Sequence, residues 1–142
     1  MNNKIKSVFL ASVALVFILS FAACSKKINF QSSAVAPAAR GTVKITKDDN
    51  SNYAIKIQLL NLAESNRLQP PKNVYVVWME GDNNGVKNIG QIKSDVNFLA
   101  KKLKASFESV SPVKPTKIFI TAEDDASVTY PGGQMVLTTA NL

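Results

Sequence analysis

Cys24 is the only cysteine among the 142 residues, and the chain contains no histidine. Without histidine it lacks the commonest general base and a frequent metal ligand. Neither a Ser/His nor a Cys/His nucleophile can be assembled. A lone thiol also excludes an intrachain disulfide framework and a thiolate-rich zinc or iron–sulfur site. Carboxylate chemistry remains. If Glu123, Asp124 and Asp82 converged in a concave pocket, they would suit a small hydrolase, because paired carboxylates act as acid and base in glycoside cleavage. Asp48, Asp49 and Asn50, or Asp82 and Asn83, carry the oxygens that Ca²⁺ accepts, but no EF-hand spacing joins them. All these acids fall in turn-forming stretches, where adjacent carboxylates are ordinarily solvated. No Gly-rich phosphate cradle is present. The expectation is a protein with no catalytic residues, no cofactor and no metal.

The surroundings of Cys24 are more specific. Lys4 and Lys6 give a basic start, and the 16 residues 8–23 then carry no charge. As a helix they would extend only ~24 Å, short of a ~30 Å hydrocarbon core. A basic start, an apolar stretch and small residues before a break make a secretory signal. Phe21-Ala22-Ala23-Cys24 resembles the lipobox of bacterial lipoproteins, with Phe21 where Leu is more usual. The resemblance implies a signal peptide over 1–23, cleavage before Cys24, and acylation of its sulfur and new amino group. A single acyl chain binds a membrane marginally, whereas two or more hold stably. It further implies an extracytoplasmic chain, and Ser25 in place of Asp points to the outer rather than the inner membrane. The same residues also read as an uncleaved N-terminal anchor with an incidental buried thiol.

After Cys24 the composition becomes polar and small. Residues 25–39 have no sustained apolar period, and ordering them would cost more entropy than their burial returns. Residues 24–39 therefore read as an acylated tether, with a reach of roughly 20 Å as a flexible coil. Its Lys26 and Lys27 lie where anionic head groups would attract them, or serve only to solubilise a linker.

Residues 40–142 alternate as a β protein does. Val43 and Ile45 oppose Thr42, Lys44 and Thr46, while Tyr53, Ile55, Ile57 and Leu59 oppose Lys56 and Gln58. Asp48 to Asn52 supplies the turn between them. Val74-Tyr75-Val76-Val77-Trp78-Met79 is apolar on both faces, the mark of a central strand covered on both sides. Asn84-Gly85 predicts a tight hairpin, and Gly90 on the return strand predicts a bulge or a close backbone approach. Residues 93–112 fit two patterns. Val96, Leu99, Leu103 and Phe107 suit a short helix, whereas Leu103, Ala105 and Phe107 suit a strand over about 101–107, which the β context favours. Strands at Lys117 to Ala122, at Val128-Thr129-Tyr130 and from Gln134 to Thr139 complete the pattern. The sum is an all-β chain, a single antiparallel β-sandwich, Ig-like in architecture, of about seven or eight strands.

Tyr75-Val76-Val77-Trp78-Met79-Glu80-Gly81-Asp82, then Asn88-Ile89-Gly90, resembles the extracytoplasmic domain of anti-sigma-K-type factors. Ile120-Thr121-Ala122-Glu123, Pro131-Gly132-Gly133 and Met135-Val136-Leu137-Thr138 fit that domain's closing region. The resemblance implies a sandwich and an envelope location. It does not imply sigma-factor regulation, because the family's sigma-binding part and spanning helix have no counterpart here. Trp78 reads as a core ring and Glu123 as a residue with functional potential.

Charge adds little. The chain carries 17 Lys+Arg against 10 Asp+Glu, but Lys4, Lys6, Lys26 and Lys27 precede the alternating region. Lys101, Lys102 and Lys104 form one basic cluster, with Lys93 nearby. Nucleic-acid binding needs a broader patch with exposed stacking rings, so no nucleic-acid partner is expected. Lysine on a strand face or edge accounts for the cluster. The function expected is that of a lipid-anchored envelope module whose binding or structural partner is unknown. A small hydrolase or an accessory subunit of an envelope complex is the alternative.

Overall fold

Alternation decides the strands. The computed structural model describes residues 25–83, 85–92 and 104–142. Among them lie β1 (Ser25–Asn29), β2 (Arg40–Lys47), β3 (Tyr53–Leu60), β4 (Val74–Gly81), β5 (Val86–Ile92), β6 (Lys104–Ser111), β7 (Pro115–Glu123) and β8 (Gln134–Thr138). They form two four-stranded sheets, β1-β2-β3-β6 and β5-β4-β7-β8, antiparallel throughout. The architecture is the expected open sandwich.

Each inner face contributes every second residue. Val43, Ile55, Ile57 and Leu59 from the first sheet meet Tyr75, Val77, Met79, Ile118, Ile120 and Leu137 from the second. Burying each such side chain contributes roughly 1.5–3 kcal/mol. The Tyr75 hydroxyl reaches the edge of this core and donates to the Ala63 carbonyl at 2.8 Å. At Gly90 the expected bulge and the expected close approach both occur. The register shifts so that Val77 faces Gly90 while Trp78 faces Asn88. Gly90 takes φ 139°, and a Cβ there would lie 2.7 Å from Phe107 on β6. Glycine is required on both grounds.

The segment expected as a tether is part of the fold. Residues 25–29 add β1 to the edge of the first sheet, pairing Ile28 with Val43 and Ser25 with Thr46. Phe30, Ala36 and Ala39 are buried in the core. The Gln31 amide donates to the Thr138 carbonyl on β8 at 2.8 Å, closing that side of the sandwich. Backbone pairing and small-residue packing stabilise this stretch, and neither leaves an apolar period to read.

Three smaller expectations are also corrected. The β4–β5 turn is wider than a two-residue loop. Gly81 donates to the Gly85 carbonyl and Gly85 to Asn83 Oδ1, both at 3.1 Å, so a side chain caps the turn. Gly85 consequently lacks positive φ. Asn84 lies outside the described residues, as do Lys93, Lys101 and Lys102. The strand expected at about 101–107 runs on past Phe107 to Ser111, because its pairing along β3 continues as far as Tyr53↔Ser111, while 101–103 lie outside the described residues. Val128-Thr129-Tyr130 is no strand but part of the irregular connection from β7 to β8.

Gly90→Val should cost about 2 kcal/mol or more, since strained φ and overlap with Phe107 add. Gly85→Ala, at an exposed turn with ordinary φ, should cost less than about 1 kcal/mol. Denaturant unfolding of the two variants checks the contrast.

Burial pushes the Tyr75 hydroxyl up to about 12 from its ordinary value of 10.0. The folded state then holds a proton that the unfolded state releases first. Stability should be fully present below about pH 10 and fall as pH rises towards 12. Tyr75→Phe should flatten this alkaline slope, as read from unfolding midpoints across that range.

Candidate functional site

Trp78 is completely buried, but it does not lie between the sheets. It projects from the outer face of the second sheet with Val76 and Phe119, and Val74 and Val128 pack against them. Trp78 and Phe119 are direct cross-strand partners, stacked at 6.3 Å between centroids and 15° between planes. The run from Val74 to Met79 is apolar on both faces for this reason. One face meets the opposing sheet, and the other is roofed by the β7–β8 connection. This small outer core supplies the second covering that the sequence called for.

A chain of polar contacts fixes the roof. Trp78 Nε1 donates to Thr121 Oγ1 at 2.7 Å, and the Thr121 hydroxyl donates to Glu123 Oε1 at 2.6 Å. The same carboxylate oxygen accepts the Gly133 amide at 2.9 Å and the Gly132 amide at 3.3 Å. Alternation places Trp78, Thr121 and Glu123 on one face, since Trp78 lies opposite Phe119 and Val74 opposite Glu123. Gly133 must be glycine, because a Cβ there would fall 1.9 Å from the Ala122 carbonyl. Asn88 pins the other side of the roof, donating from Nδ2 to the Ala126 and Val128 carbonyls at 2.9 and 2.8 Å. Asn73 Nδ2 donates to the Asp124 carbonyl at 3.0 Å, and Lys72 pairs with the Asp124 carboxylate at 2.7 Å.

The other acids are placed singly. Asp82 follows Gly81, while Glu123 faces Val74 at the opposite end of β4, roughly 23 Å away along the strand. The carboxylates proposed for hydrolysis are not brought together. Asp48 Oδ1 accepts the Asn50 and Asn52 amides at 2.9 and 2.8 Å, so its oxygens organise their own loop. The Ser127 amide and hydroxyl hold the exposed Asp125 carboxyl below its usual range. Among the described residues no group of three or more acidic or thiol side chains gathers as a metal site.

Trp78, Glu123 and the Pro131-Gly132-Gly133 turn stand apart in the sequence, and the fold unites them through Thr121. Asn73 gave no expectation, and Asn88 entered only as part of the Asn88-Ile89-Gly90 resemblance. Their signal was faint: each is an asparagine at or beside a strand, where an amide needs a reason to be. What this arrangement does is structural, seating an irregular loop over an indole ring. Comparison with known proteins adds nothing to the geometry, since no family model, curated protein or solved structure matches this chain.

Glu123→Ala should cost about 2–4 kcal/mol, because it strands the Thr121 hydroxyl and two amides in a nearly dry site. Glu123→Gln keeps an acceptor and should cost clearly less. Trp78→Ala should cost ~3–5 kcal/mol through lost burial and the cavity left behind. Equilibrium unfolding with circular-dichroism readout tests all three, and equal losses for the two Glu123 variants would refute the role given to its acceptor oxygen.

Proposed function

We propose that this chain is a cell-envelope lipoprotein, anchored by acylation at Cys24, whose β-sandwich is a non-enzymatic binding or structural module. The observation that carries the proposal is the place of Cys24. The chain's sole cysteine ends the uncharged stretch 8–23 and immediately precedes Ser25, the first residue of β1. Cys24 itself lies outside the described residues. The resemblance to lipobox sequences supplies the chemistry. Ser25 in place of Asp favours the outer membrane.

The side-chain geometry supports a non-catalytic role. Two of the candidate acids hold loops, Glu123 through two backbone amides and a hydroxyl and Asp124 through Lys72. Two open depressions among the described residues are lined mostly by amides and by small or apolar side chains, with Glu64 and Lys72 in one and Arg67 in the other. The resemblance of the Trp78 and Glu123 segments to extracytoplasmic anti-sigma domains fits an envelope module and carries no regulatory activity with it.

Cys24→Ala should reduce incorporation of labelled palmitate to background and leave an unprocessed chain longer than the wild type. Labelling in cells followed by intact-mass measurement checks both. A labelled, correctly trimmed Cys24→Ala protein would overturn the proposal.

A further inference from the structure

The outer face of the first sheet is open to solvent and strongly biased in charge. Strand registry aligns Lys27 on β1 with Lys44 on β2 and Lys56 on β3, and all three are exposed. Like charges directly opposite one another across a sheet are destabilising. Glu108 on β6 pairs with Lys56 at 2.6 Å and is the only acid on this face among the described residues. Lys27 and Lys44 have no carboxylate partner among those residues. Two apolar side chains flank the row, Leu60 at 40% and Val110 at 65% exposure. A cationic row between exposed aliphatic residues is the composition that an anionic lipid–water interface selects.

We infer that this face lies flat on the anionic head groups of the membrane that holds Cys24. The inference rests on the anchorage proposed above, in which Cys24 is the point of attachment. Consecutive Cα atoms are only ~3.8 Å apart, so Cys24 has no slack from Ser25 at the start of β1. The sandwich therefore cannot drift away on a linker, and some face of it must meet the lipid. Standing on end is disfavoured, because the Asp48-Asp49 loop projects past the Ser25↔Thr46 pair and would push two acids into anionic head groups. The opposite sheet's outer face is roofed by the connection that carries Asp124 and Asp125. The Lys27-Lys44-Lys56 face complements the lipid charge. Lys44, Lys56 and the Glu108 paired with Lys56 line an open depression of about 350 Å³, where Lys44 is the cation left for a head group.

The test uses the full acylated chain, purified from membranes and reconstituted into vesicles of phosphatidylcholine alone or mixed with phosphatidylglycerol. An amine-reactive label read by mass spectrometry reports each lysine, and the Cys24 peptide mass reports acylation. Labelling of Lys27 and Lys44 should fall at least about threefold on the anionic vesicles, and about 1 M NaCl should restore it as the Debye length shrinks to ~3 Å. Lys87 and Lys117, both on the second sheet, should label equally on both vesicles. The double variant Lys27→Glu/Lys44→Glu should stay vesicle-bound with an unchanged unfolding midpoint, yet lose protection at Lys56. An acylated Cys24 with lysines labelled alike on the two vesicles overturns the docking and leaves the anchor standing. An unmodified Cys24 with protection retained does the reverse. Protection by a soluble oligonucleotide but not by anionic vesicles would also overturn the lipid assignment.

Discussion

A strand pair that is apolar on both faces has to be covered twice. β4 and β7 are such a pair, and the rest of the molecule follows from that need. The first sheet covers one side at the cost of nothing unusual. Among the described residues an irregular connection covers the other side, and such connections carry backbone groups that must find partners. The single acceptor oxygen of Glu123 meets that demand for Gly132 and Gly133, while Thr121 passes the hydrogen-bond chain to the indole. An acid in this position is stabilising because every contact to it is a donor. Gly133 is glycine because nothing larger fits beneath Ala122, whereas a Cβ on Gly132 would meet open space.

The strands were legible because one period of two runs through each of them, and Gly90 was legible because glycine inside a strand has few explanations. Trp78 was legible as buried but not as to which side, since a run apolar on both faces does not say which covering is a sheet and which a loop. The contact among Trp78, Thr121, Glu123 and Gly133 was not legible as a unit. It depends on register across two strands, and register is set by long-range pairing rather than by any local spacing. The Asn84-Gly85 signal misled for a related reason. A dipeptide favours a tight turn, but the Asn83 side chain caps a wider one here without asking glycine for positive φ.

The segment 25–39 is the instructive failure. Composition argues for disorder whenever a stretch lacks apolar content, and that argument assumes the stretch must stabilise itself. An edge strand need not. β1 borrows its order from the exposed hydrogen-bonding edge of β2, and Phe30, Ala36 and Ala39 contribute burial at irregular intervals. Covering β2 in this way moves the open edge of the sheet outward to the short strand β1.

The attachment of β1 has a mechanical consequence. Any force borne by residue 24 is delivered to Ser25 and thence to a five-residue edge strand held by its ladder to β2. A pull along the strand loads all of those hydrogen bonds together in shear. A pull away from the sheet opens them one after another, like a zip. Beyond the strand, the Gln31–Thr138 contact ties the same segment to β8 on the other sheet, so a peeled β1 would next strain the joint between the two layers. The direction of tension at the N-terminal end thus sets whether the domain resists as a block or yields strand by strand.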